Sequence, residues 1–157
     1  MTTLSDDERR QRAGATVDGL LDALRRHDMK AFADSWAPHG TMEFPFAPPG
    51  YPRHESREEV WAYLKDYTEK IDLHEVVERA RHYSALEPDT VVLEFEVAGK
   101  LVHNGADYNM SYVSVITVGD EGIESYRDHW NSLAIALAMG GAEAFMARFA
   151  TNGDNDE

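Results

Sequence analysis

The run Ser125-Tyr126-Arg127-Asp128-His129-Trp130-Asn131 sets a carboxylate in a pattern that has chemical use. In an extended chain, Tyr126, Asp128 and Trp130 share one face, and Arg127, His129 and Asn131 share the other. If the aromatic face is the apolar, cupped one, Asp128 loses water and its pKa rises. It then becomes a proton carrier near neutral pH. If the strand turns the other way, Arg127 or His129 pairs with Asp128 on a solvent face and the carboxylate is structural. Both readings stand at this point.

Other side chains could assist. Met110, Tyr112 and Ser114 share a face of the preceding strand-like run, and the Ser114 hydroxyl can donate to a ligand oxygen. His54 lies in a Pro-rich loop and is a candidate second proton carrier, with a surface histidine as its alternative. Tyr63, Trp61, Trp36 and Phe32 are either core or pocket wall. Glu43 alternates away from Met42 and Phe44 and reads as outward. The seven histidines lack metal-ligand spacing, and cysteine is absent, which leaves no disulfide and no thiolate ligand. No Gly-rich phosphate loop or nucleophile elbow occurs, so no metal, nucleotide or other cofactor is expected.

These residues need elements to hold them. Val17, Leu20, Leu21 and Leu24 have helical spacing within residues 8–28. Asp28 is placed to cap a second helix over 29–37, stopped by Pro38, and Ser56 with Glu59 caps a third over 57–71. A short strand precedes the loop Phe46-Ala47-Pro48-Pro49-Gly50-Tyr51-Pro52. From His74 onward four strand-like runs follow, separated by Glu87-Pro88-Asp89, Asn104-Gly105 and Gly119-Asp120. Val91, Leu93, Phe95 and Val97 alternate against Glu94 and Glu96. An Ala/Leu helix interrupted at Gly140-Gly141 closes the chain. Helices first and antiparallel strands after them predict an α+β domain, a curved sheet folded over helices.

A length of 157 residues suits one such domain. We expect it over 10–149, with disordered tails at 1–9 and, strongly acidic, at 150–157. No apolar run is long enough to span a membrane and no secretory signal is visible, so a cytoplasmic protein is expected. The formal net charge of −14 argues against nucleic acid and anionic membrane surfaces as partners. A hydrophobic small molecule is the expected partner.

The stretches LLDALRRHDMKAFADSWAPHGTMEFPFAPPGYP, SREEVWAYL and GIESYRDHWNSLAIALAMGG together resemble the SnoaL-like branch of the NTF2-like superfamily. That superfamily includes polyketide cyclases, ketosteroid isomerase, limonene epoxide hydrolase and the phenazine-pathway acid/base proteins. The resemblance implies a cone-shaped α+β barrel with three N-terminal helices, a curved, mostly antiparallel sheet, a C-terminal helix and, commonly, a homodimer. Asp128 matches the catalytic aspartate of the epoxide hydrolase and the catalytic glutamate of the phenazine proteins. The departures are equally informative. Phe44 stands where ketosteroid isomerase has its base, Ser114 near its oxyanion aspartate, and Leu20 near its tyrosine. The middle strand lacks the epoxide hydrolase's arginine and second aspartate.

The expected function is therefore a cofactor-free acid/base step, an isomerisation, cyclisation or lyase reaction of a hydrophobic, polyketide-like molecule. Asp128 carries the proton, aided by Ser114 and His54. Tyr126, Trp130, Tyr112, Met110, Phe95, Leu93, Phe44, Phe46, Tyr63, Trp36 and Leu20 shape the pocket. A non-catalytic binding module and an epoxide-opening enzyme are the alternatives.

Overall fold

The structure, a computed structural model, describes residues 3–138 and 140–147, without the side chains of Phe145 and Met146. The acidic segment 150–157 lies outside the described residues. Helix α1 (Asp6–Arg25) starts four residues before the expected domain boundary. Ser5 accepts from the Glu8 amide while the Glu8 carboxylate takes the Ser5 amide, a full capping box that makes residues 6–9 the first helical turn. Ala13, Val17, Leu20, Leu21 and Leu24 form its buried stripe.

Helix α2 (Met29–Asp34) is capped by Asp28 as expected, but it ends before Trp36. Trp36 opens strand β1 (Trp36–Glu43) instead, which corrects its placement on the helix. Pro38 explains the early exit: it disfavours a helical residue before it and tolerates an edge strand. At the same point Gly122 has φ +123° and its Cα side meets the Ser35 carbonyl, where an added Cβ would sit 2.5 Å away. The close approach of the start of β1 to this turn therefore needs glycine there.

The third expected helix is split. Helix α3 (Arg57–Leu64) is followed by a separate turn, α4 (Tyr67–Lys70). Strands β2 (Ile71–Tyr83), β3 (Thr90–Leu101), β4 (Asp107–Gly119) and β5 (Gly122–Trp130) fall on the four expected runs. The five strands form one sheet in the order β1-β5-β4-β3-β2, antiparallel except for the parallel β1–β5 pair. The sheet is curved and unclosed, with β1 and β2 as its edges and register shifts in β2. Helices α5 (Ser132–Ala138) and α6 (Ala142–Ala147) stand in place of one C-terminal helix, separated at Gly140-Gly141. No helix of the described residues is long and apolar enough to cross a membrane.

The inward sheet face and α1 share one apolar core. Trp36 is its largest fully buried side chain, packed 5.6 Å from Phe32 and 5.1 Å from Tyr126, with its indole N–H donated to Thr41 O at 3.1 Å. Trp36→Ala is expected to cost about 3–5 kcal/mol, the range for emptying a buried aromatic site. A urea unfolding midpoint reads it, and a loss under 1 kcal/mol would mean that Trp36 is not a core residue.

Candidate active site

A cavity of about 510 Å³ opens between the cupped sheet face, α3, α4 and α5. The antiparallel register of β4 and β5 pairs Tyr112 with Trp130, Ser114 with Asp128 and Ile116 with Tyr126. Asp128 therefore points into the hollow between two aromatic residues, while Arg127 stays exposed. His129 does not pair with Asp128 either; its Nδ1 lies 3.0 Å from Val113 O, and its ring meets Phe46 at 4.9 Å.

Asp128 is buried and accepts one side-chain hydrogen bond, from Ser114 Oγ to Oδ1 at 3.0 Å. Burial pushes its carboxyl up to about 7, and the Ser114 hydroxyl offsets only part of that rise. Such a group is part acid and part base at neutral pH. Around it stand tyrosine hydroxyls. Tyr108 and Tyr112 are 2.8 Å apart and Tyr67 lies 3.4 Å from Tyr112, while Tyr51 and Tyr63 meet at 2.7 Å. Burial first, then the neighbouring tyrosines, and after them the Asp128 charge, raise the ionisation of Tyr63, Tyr67 and Tyr112 well above the phenol range. They are neutral donors at any physiological pH.

The rest of the wall is aromatic. Phe95 stacks on Tyr112 at 4.8 Å, Tyr51 contacts Trp130 at 5.5 Å, and Phe44 contacts Tyr63 at 5.2 Å. Of the expected pocket residues, Tyr126, Trp130, Tyr112, Phe95, Phe44 and Tyr63 line the cavity with Asp128. Leu20, Leu93, Met110 and Trp36 do not; they are core residues behind it. Phe46 lies past the end of β1, two-thirds exposed, and its backbone carbonyl takes the Ser132 hydroxyl. Ser114 is not on the cavity wall and reaches the site through its hydrogen bond to Asp128. His54 is held on β1 by paired backbone hydrogen bonds with Met42, its ring 4.6 Å from Tyr63 and outside the cavity wall. Burial lowers its pKa, and the Glu59 charge opposes part of that fall.

Sequence reasoning missed Tyr51, Tyr67 and Tyr108. Tyr108 was within reach of the same alternation that placed Met110 and Tyr112. Tyr67 depended on the break between α3 and α4, which no Gly or Pro announces. Ile135 and Ala138 close the cavity from α5, and Leu133 and Leu137 face out.

The SnoaL-like domain profile matches residues 17–126. An uncharacterized PhzA/B-like protein of Pseudomonas aeruginosa is 34% identical over 125 residues, 79% of this chain and 87% of its own. A crystal structure from Bacillus subtilis, provisionally named an isomerase, is 34% identical with a TM-score of 0.78, covering 88% of this chain and 98% of that one. An NTF2-like protein of Burkholderia thailandensis, 21% identical, has the same fold, with a TM-score of 0.67 over 82% of this chain and 97% of the other. A profile match over most of the chain and relatives at this identity carry one conclusion: the chain belongs to the SnoaL-like family and has the NTF2-like fold.

Proposed function

We propose that the protein is an acid/base catalyst of an isomerisation or cyclisation in which a C–H beside a carbonyl is deprotonated. The observation that carries this is a single carboxyl, raised to about 7, buried in an apolar cavity. Asp128 takes the proton from carbon. The hydroxyls of Tyr67, Tyr108 and Tyr112 supply donors for the oxygen on which negative charge then collects. Ser114 fixes the carboxyl and keeps part of it ionised. The aromatic walls suit a flat, polycyclic, polyketide-like body, and a volume of about 510 Å³ falls among cavities that hold drug-sized ligands. The isomerase and PhzA/B-like names of the relatives agree with proton-transfer chemistry.

Epoxide opening is less well supported, because no second carboxylate and no arginine are among the described residues that line the cavity. The test is deuterium exchange at the α-carbons of 2-tetralone in heavy water, followed by proton NMR. Exchange above the buffer rate is expected, rising with pH and levelling off past about 7 as the base form fills. Exchange no faster than buffer, across a panel of bicyclic ketones, would sink the proposal.

Tyr112→Phe is expected to lower that exchange rate by about a hundred- to a thousandfold, the size of one lost donor in a buried oxyanion site. An unchanged rate would remove the tyrosines from the chemistry and leave them as wall.

A further inference from the structure

Among the described residues that line the cavity, Asp128, Lys70 and His103 are the ionisable ones besides tyrosine. Lys70 ends α4, and His103 lies in the turn between β3 and β4; both are exposed, whereas Asp128 is buried. The Val102 amide donates to the Lys70 carbonyl at 2.9 Å, so one backbone bond clamps that turn to the end of α4 and brings both side chains to the same rim. Neither side chain has a hydrogen bond or ion pair with a carboxylate among the described residues. The nearby cations and histidines of the same region do: Lys100 is held by Asp107 at 2.8 Å, and His74 by Asp72 at 2.9 Å.

We propose that this rim is a binding site for an anionic group, a carboxylate at one end of the substrate whose aromatic body fills the cavity. The Lys70 ammonium supplies the charge and the His103 ring a donor N–H. A molecule with 29 acidic against 15 basic side chains repels anions as a whole. Placing an unpaired lysine on the cavity's rim, while neighbouring lysine and histidine side chains are neutralised by acids, gives an acidic ligand one local point of attraction. The substrate class is then an aryl carboxylic acid with its acid group near solvent and its reacting carbon at depth. This rests on the reading of the cavity as a substrate site.

The test compares 3-(2-naphthyl)propanoate with its primary amide, a neutral ligand of the same shape, by isothermal titration calorimetry. The wild type is expected to bind the acid about fivefold more tightly than the amide, as two partly exposed polar contacts would give. Lys70→Gln with His103→Gln should bring the ratio to about one. Lys100→Gln removes the same charge nearby, off the cavity wall, and should leave the ratio intact. Equal binding of acid and amide by the wild type would overturn the anionic site and leave the cavity reading standing. So would an acid preference that survives in the double variant, or that disappears equally in Lys100→Gln. Failure of both ligands to bind would overturn the cavity reading and the anionic site together.

Discussion

Asp128→Asn is expected to lower turnover about a thousandfold, within the range that a positioned general base contributes. The amide has the shape of the carboxyl, and its oxygen can still accept from Ser114 Oγ, now 3.0 Å from Oδ1. Ligand affinity should therefore change little, and the loss should fall on kcat rather than on KM. Ser114→Ala separates position from basicity. That hydroxyl favours the ionised carboxyl, so its removal should push the carboxyl still higher than about 7. The rising limb of the pH–rate profile must then move to higher pH, with a similar plateau once Asp128 is fully ionised. Retention of more than a tenth of wild-type turnover by Asp128→Asn would exclude Asp128 as the proton carrier. An unmoved limb in Ser114→Ala would mean that the limb reports some other group.

How far this site could be read from the chain depends on which residues ride on regular strands. Period-two alternation is a strong constraint, and on β5 it placed Tyr126, Asp128 and Trp130 inward and Arg127 outward. On β4 it put Tyr112 and Ser114 on the cavity side of the sheet. Alternation gives the face but not the depth along the strand. Met110 and Leu93 share the inward face with Tyr112 and Phe95, yet they are buried in the core and do not line the void. Leu20 failed for another reason: a helix turns by about 100° per residue, so a loose alignment has no power to say which side faces a pocket. Phe46 sits in the loop beyond the end of β1 at Glu43, where no alternation sets the direction of its side chain. Tyr51 and Tyr67 were out of reach because a loop and a helix break set their direction, and both depend on tertiary packing. The capping box at Ser5 is the opposite case. Its two residues stand three apart in plain sight, and the first helical turn was missed only because its charge resembled a tail.

Asp128 also has a cost that the folded state must carry, and the same substitution exposes it. The carboxyl is raised to about 7 in the fold, against about 3.9 in an unfolded chain. Between these values the folded protein holds a proton that the unfolded chain releases. The stability from this group is thus fully present below about pH 4 and is lost as pH rises through about 7. A rise of about three units corresponds to roughly 4 kcal/mol at most. Asparagine cannot ionise. Asp128→Asn should therefore match the wild type near pH 4 and be more stable by about 2–4 kcal/mol at pH 8.5. Urea unfolding of both proteins from pH 4 to 9 measures this. Carboxyls such as Asp89, held low by Arg9, give the opposite slope, but they are common to both proteins and cancel in the difference. A difference independent of pH would mean that Asp128 ionises as an ordinary carboxylate, and the acid/base proposal would lose its physical source. A structural aspartate weakens the fold when it is neutralised. A residue whose neutralisation strengthens the fold and abolishes turnover is being kept for chemistry, at the expense of stability.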